Sequence, residues 1–236
     1  MLRKLHIEVE VIRKDIKNLH LAVYPPDGRV RLAAPADVNM QTLELYTTSK
    51  IGWIKRQQRM FLNQDRQPPR QYVDRESHYY LGKRYLLRVH ETDNINRYPR
   101  IILRTKTYID IYVKPGYTIE QKSELFKEWY RARFKELLPE LTNKWERIVG
   151  VAPSTYMIKT MKTKWGSCKI ETANINLNLE LIKKPVDCIE YVLAHELTHL
   201  LERNHNDVFQ AYMDRHIPKW KSIRDELNRL PVGEID

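Results

Sequence analysis

The stretch from Tyr191 to Phe209, YVLAHELTHLLERNHNDVF, restricts what this chain can fold into more than any other. Ile189, Leu193, Leu197 and Leu200 recur with helical spacing, and Val192, Ala194 and Leu201 carry apolarity around most of the cylinder. A helix that is apolar nearly all round belongs inside a protein. Yet His195, Glu196 and His199 lie within it. Histidines four apart project from the same face, about 6 Å apart at Cβ. Burying two imidazoles and a carboxylate is costly without a partner, and a divalent cation is one such partner.

The spacing lets both imidazoles reach one zinc ion, at about 2.0–2.1 Å each. Glu196 directly follows the first histidine, the position of the general base in H-E-x-x-H zinc peptidases. His205, ten residues after His195, is the first choice for a third ligand. That interval matches H-E-x-x-H-x-x-G-x-x-H, in which a glycine lets the chain turn, but here Glu202 stands in the glycine's place. Glu202, Asp207 and Asp214 therefore stay open as rivals. The helix is expected to start at Pro185 and run to about Arg203, with Asn204 in a left-handed turn that brings His205 back. Lys164, Tyr191 and Tyr212 are candidates by residue type for stabilising an oxyanion.

The 236 residues allow one large domain or two small ones, and 42% hydrophobic with 30% charged residues is a globular rather than a disordered composition. The formal charge of +11 is uneven: residues 1–120 carry 22 Lys and Arg against 13 Asp and Glu, residues 121–236 carry 19 against 17. A basic N-terminal half can attract nucleic acid, although a solvated surface explains the same excess. Two cysteines, Cys168 and Cys188, make no disulfide framework in a chain of this size. No run reaches the roughly 18 apolar residues of a membrane span, and the start lacks the apolar core of a secretory signal. The expectation is a cytoplasmic protein without a membrane partner.

Along the chain, Leu5–Val11, Leu19–Val23 and Val30–Leu32 alternate polar and apolar residues around a Pro25-Pro26-Asp27-Gly28 turn, a hairpin pattern. Gln41–Leu62 has helical spacing, with Ser49 a candidate cap for a second segment, and residues 64–71 read as a loop. Strands are predicted at Tyr79–His90, Arg100–Arg104 and Tyr108–Val113, with a turn or bulge at Gly82-Lys83. From Thr118 a long helical pattern runs to Gly150, with Thr118 and Gln121 forming a capping box and Pro139 expected to kink or split it. Thr155–Met161 and Asn174–Leu179 are extended, and Asn206 and Pro218 open two closing helices. This predicts an α+β protein: a β-rich accessory region with a helical insert over residues 1–117, then a catalytic domain over 118–236.

Residues 165–168 (WGSC), the Asn-Leu-Asn-Leu run at 176–179, YVLAHELTHL, and His205 with Phe209 together resemble the YgjP-like metallopeptidases, relatives of SprT-type and WLM zinc proteases. The likeness is most specific over residues 159–209, and the sequence departs from the pattern at Lys164 and Gln210. The resemblance implies a zincin-like catalytic domain that hydrolyses peptide bonds, with Zn2+ on His195, His199 and His205 and Glu196 as catalytic acid/base. It also implies a sheet edge that aligns the peptide by strand addition, for which Asn174–Leu179 is the candidate. Other readings of the same residues are a metal-binding regulator without useful turnover and a nucleic-acid-associated protein with conditional hydrolase activity. Trp165 is expected to pack and Cys168 to be a small buried thiol rather than a ligand.

Overall fold

The computed structural model describes residues 2–4, 7–24, 27–62, 69–93, 99–161 and 163–229. The chain falls into two compact units, residues 1–66 and 67–234. The division lies well before the boundary near 117 read from the sequence. The reason is that the strands between residues 77 and 113 share one core with the helices that follow them, Leu87, Ile109 and Ile111 clustering with Phe134, Leu177 and Leu193. Charge does not separate the units: residues 1–66 carry 12 Lys and Arg against 7 Asp and Glu, and 67–234 carry 29 against 22.

The first unit is a four-stranded sheet and two helices: β1 (Leu2–Lys4), β2 (Ile7–Arg13), β3 (His20–Tyr24), β4 (Arg29–Ala34), α1 (Met40–Ser49) and α2 (Ile51–Leu62). The strand order is β1-β2-β4-β3. Alternation in β4 puts Val30, Leu32 and Ala34 into a core with Val9, Leu43 and Ile54. The hairpin read around Asp27-Gly28 is the antiparallel β3–β4 pair. Asn39 caps α1 through its side chain, whereas Ser49 closes α1 by bonding the Tyr46 carbonyl and is not the cap of the next helix.

In the second unit β5 (Ser77–Tyr80), β6 (Lys83–Glu91), β7 (Arg100–Leu103) and β8 (Tyr108–Val113) form a sheet of order β5-β6-β8-β7. Most of the loop expected at 64–71 lies outside the described residues. Helix α3 (Ile119–Val149) has the predicted Thr118–Gln121 capping box and ends at Gly150 in left-handed backbone. Pro139 neither ends nor divides it, because Phe134, Leu138, Leu141 and Trp145 are all buried along the same helix. Packing over that length outweighs a local penalty of about 3 kcal/mol.

The remaining elements are β9 (Thr155–Lys159), β10 (Gly166–Lys169), β11 (Asn174–Asn178), α4 (Val186–Thr198), α5 (Asp207–His216) and α6 (Trp220–Arg229). The small sheet has the order β10-β11-β9. The segment proposed as an open edge is thus its central strand, paired antiparallel with β10 and parallel with β9. Its alternating Ile175 and Leu177 are fully buried. The edge beside α4 is β10.

The β5–β6 turn positions α4. Leu81 and Gly82 both have positive φ, and their amides donate to the carbonyls of Ile182 and Lys183 at 2.9 and 3.2 Å. A Cβ on Gly82 would lie 2.9 Å from Pro185 Cγ, so only a glycine lets the turn rest on the start of the helix.

Candidate metal centre

Pro185 is the N-cap of α4, one position before its predicted place, and Asp187 lies in the first turn. There an acidic side chain complements the helix dipole. The helix ends at Thr198 rather than near Arg203, with His199 as its C-cap. Its last carbonyls are taken up by tight turns: Leu200 N donates to Leu197 O at 3.0 Å, and Leu201 N and Glu202 N to Thr198 O at 2.9 Å each. Neither Glu202 nor Asn204 has a positive φ. Because the chain leaves the helix early and without left-handed backbone, it needs no glycine at 202, and the turn expected of Asn204 does not form.

His205 is thereby carried back to α4. Its Nε2 lies 3.0 Å from His195 Nε2, and one ligand atom from each of His195, His199 and His205 lies within 4.8 Å of the others. The rivals for the third position are engaged elsewhere or outside this group. Glu202 accepts from Asn204 N at 2.9 Å, Asp214 accepts from Trp220 Nε1 at 2.7 Å, and Asp207 starts α5. Phe209 closes the back of the cluster, its ring centroid 4.9, 4.8 and 4.7 Å from those of His195, His199 and His205.

The electrostatics favour ligands in the neutral form that metals require. Burial, with smaller contributions from the other two imidazoles, pushes His195 down to about 3. Burial also lowers His199. His199 Nδ1 lies 3.2 Å from the Glu202 carbonyl, a contact that assigns its proton to Nδ1 and leaves Nε2 free. His195 Nδ1 is buried without a hydrogen-bond partner. Three converging imidazoles of this kind fit a tetrahedral zinc ion with one position left for water.

Glu196, only 6% exposed, points from the next helical position toward β10. Burial pushes its carboxyl up to about 8, against opposing pulls from Lys164 and from the Cys168 backbone amide that bonds it. The contact with β10 is close enough that a Cβ on Gly166 would stand 2.6 Å from Glu196 Oε1 and 2.8 Å from its Cγ. Neither Gly166 nor the Cys168 amide was singled out from sequence for this role. The signal was the glycine inside WGSC, a small residue in a short strand where a backbone must approach closely.

The loop before β10 is held by Asn178, which is completely buried and whose Nδ2 donates to Met161 O and Lys164 O at 2.8 Å each. Its backbone amide donates to Trp165 O, also at 2.8 Å. Trp165 packs against the core as expected, with Lys184 Nζ 5.3 Å from its ring centre. Cys168 and Cys188 are free thiols. Burial pushes them up to about 11 and about 12, so neither is a thiolate near neutral pH.

Beside the histidines a pocket of about 200 Å³ opens between the loop before β10, α4 and α6. Of the three residues named for an oxyanion, Lys164 and Tyr191 line it. Tyr212 instead stacks on His216 at 6.2 Å.

Three histidines that could hold one metal ion, beside a buried carboxylate, are an arrangement suited to a metal-dependent hydrolase. The sequence matches the YgjP-like metallopeptidase domain family over residues 17–230, and the chain belongs to that family. No curated protein sequence matches the chain significantly. Among solved structures, the metallopeptidase zymogens abylysin of Pyrococcus abyssi and jannalysin of Methanocaldococcus jannaschii are similar over 38% of this chain, each at 21% identity. The alignments cover 90% and 91% of those chains, with TM-scores of 0.36 and 0.35. No helix among the described residues is long and apolar enough to cross a membrane.

Proposed function

We propose that the chain hydrolyses peptide bonds with a zinc ion held by His195, His199 and His205 and with Glu196 as the general base. The observation that carries this reading is the convergence of three imidazole nitrogens within 4.8 Å, next to a carboxylate on the same helix. When bound, the ion supplies a Lewis acid and lowers the pKa of a water molecule toward about 7.

The residues of the chain do the rest. Glu196 takes the proton of the attacking water and returns it to the leaving amine nitrogen. Its carboxyl is held against β10 by the Cys168 amide, so the base does not have to be recruited during the reaction. Lys164 favours the ionised form of that carboxyl, and a neighbouring dication acts in the same direction. Trp165 O accepts from Asn178 N, and ladder alternation then turns the backbone groups of Gly166 and Cys168 away from β11, the Cys168 amide to Glu196 and the Gly166 groups toward the open edge of β10. An extended peptide added to that edge runs alongside Glu196.

The test is Glu196→Gln. The variant should keep its zinc and lose about 10²–10⁴-fold in peptide cleavage. Undiminished cleavage would exclude Glu196 as the base, and a wild-type protein that binds zinc but cleaves no peptide would point to a metal-binding regulator.

A further inference from the structure

We propose that the pocket beside the histidines is a carboxylate-selecting subsite, so that preferred substrates carry an acidic group next to the cleaved bond. The proposal rests on the peptidase reading above and names the substrate class for that site. His195 and Glu196 form part of the pocket wall, so whatever enters it adjoins the reacting carbonyl.

The floor is apolar, Val192 and Leu227 being 3% and 1% exposed. Apart from Glu196, the polar side chains of the lining all carry donors: Lys164, Arg224, Asn228 and Tyr191. Both cations belong to the lining, Lys164 from the loop before β10 and Arg224 from α6. Arg224 is oriented by Asp225 Oδ1, at 3.0 Å from Nε and 2.9 Å from Nη2, and by the Trp220 ring centre at 5.2 Å. Among the described residues the only acid in the lining is Glu196, which the chemistry uses.

A carboxylate, which only accepts, satisfies such a ring of donors. The isosteric amide turns N–H groups toward them, and a cationic side chain meets two like charges. Two sources supply the group: an Asp or Glu side chain, or the free α-carboxylate at a peptide's end.

The experiment uses the zinc-loaded full chain and matched peptides with Glu, Gln or Lys at each position flanking the cleaved bond, each with a free and an amidated C-terminus. The expected result is a Glu-over-Gln preference of about tenfold or more in kcat/KM, carried mainly by KM and reduced by salt. Lys164→Met and Arg224→Met should each shrink that ratio several-fold. A Glu-over-Gln preference that survives amidation assigns the side chain, and a preference for the free over the amidated C-terminus with Glu and Gln alike assigns the terminal carboxylate. As a readout without turnover, Trp165 fluorescence of Glu196→Gln is followed during titration with the Glu and Gln peptides, and the Glu peptide should bind more tightly. Equal kcat/KM values for Glu and Gln peptides together with equal values for free and amidated C-termini, or a ratio unmoved in both variants, would overturn the subsite. If no peptide is cleaved while the titration still favours Glu, the hydrolytic reading falls and the subsite stands.

Discussion

Gly166 and Glu196 are fitted to one another: the carboxylate occupies the space where any other residue at 166 would place its Cβ. Adding that carbon in Gly166→Ala must displace either β10 or the base. The variant is expected to retain its metal, because the three imidazoles do not touch residue 166, and to lose about tenfold or more in kcat. In a Glu196→Gln background the same substitution should have little further effect on rate, since coupled residues are not additive. An undiminished effect there would mean that Gly166 acts on the fold and not through the base.

Removing the third imidazole separates the ligand from its rivals. His205→Ala should weaken zinc affinity by more than the roughly 10–100-fold typical of losing an outer partner of a ligand. Asp214→Asn should leave affinity unchanged, because its carboxylate bonds Trp220. Metal content and competition with a chelator measure both. An unchanged His205→Ala would disprove the triad.

Two glycines with the same backbone sign should differ in their response to alanine. Gly82 and Gly116 both have φ of +77°, yet a Cβ on Gly82 meets Pro185 at 2.9 Å whereas one on Gly116 meets nothing within 4 Å. Gly116→Ala is expected to cost only the left-handed penalty of about 1–2 kcal/mol. Gly82→Ala should cost more and should lower activity as well, because the collision falls on the N-cap of α4. Denaturant unfolding of the two variants side by side checks this.

In the metal-free protein the buried His78 should cost stability as the pH falls from neutrality, while Glu196, pushed up to about 8, should add stability over the same range. His78, 3% exposed and stacked 4.5 Å from Phe126, is held below its ordinary 6.5 chiefly by burial, against the opposing contact with Glu76. Glu76 is raised by its own burial but brought below its ordinary value by hydrogen bonds from His78, Gln71 and Tyr72. Both groups are therefore easier to protonate in the unfolded chain. The share of stability that depends on His78, His195 and His199 is full above the ordinary histidine value and is lost below it, followed by that of Glu76, while protonation of Glu196 works in the opposite direction. Going from about pH 7.5 to about pH 5.5, the thermal midpoint of His78→Gln should shift in the stabilising direction relative to that of the wild type.

The readings that held were those carried by short-range physics. The Thr118 capping box, the Gly150 stop, the β3–β4 hairpin and the helix bearing His195 and His199 each depend on residues a few positions apart. The readings that failed needed to know what lies across space. The resemblance implies β11 as the edge, and its alternation, which reports a strand without naming its neighbours, offers no check on that. The boundary near 117 followed a change of period, but the shared core of Ile109, Ile111 and Phe134 ignores that change. The end of α4 was drawn too late because Leu200 and Leu201 prolong the apolar pattern past the last helical residue. His205 could be named from its spacing, while the close contact of Glu196 with Gly166 involves residues thirty positions apart and becomes visible only when strand and helix meet.

Asn178 has a consequence for how substrate is met. Its amide uses both Nδ2 hydrogens on the carbonyls of Met161 and Lys164, so the backbone that presents Lys164 is fastened from inside the protein before anything binds. The conformational entropy of that segment is surrendered during folding, and a peptide arriving at the cleft does not have to order it again. Association should then show little of the heat-capacity change that accompanies coupled ordering. The rim of the cleft behaves as a template rather than as a closing jaw.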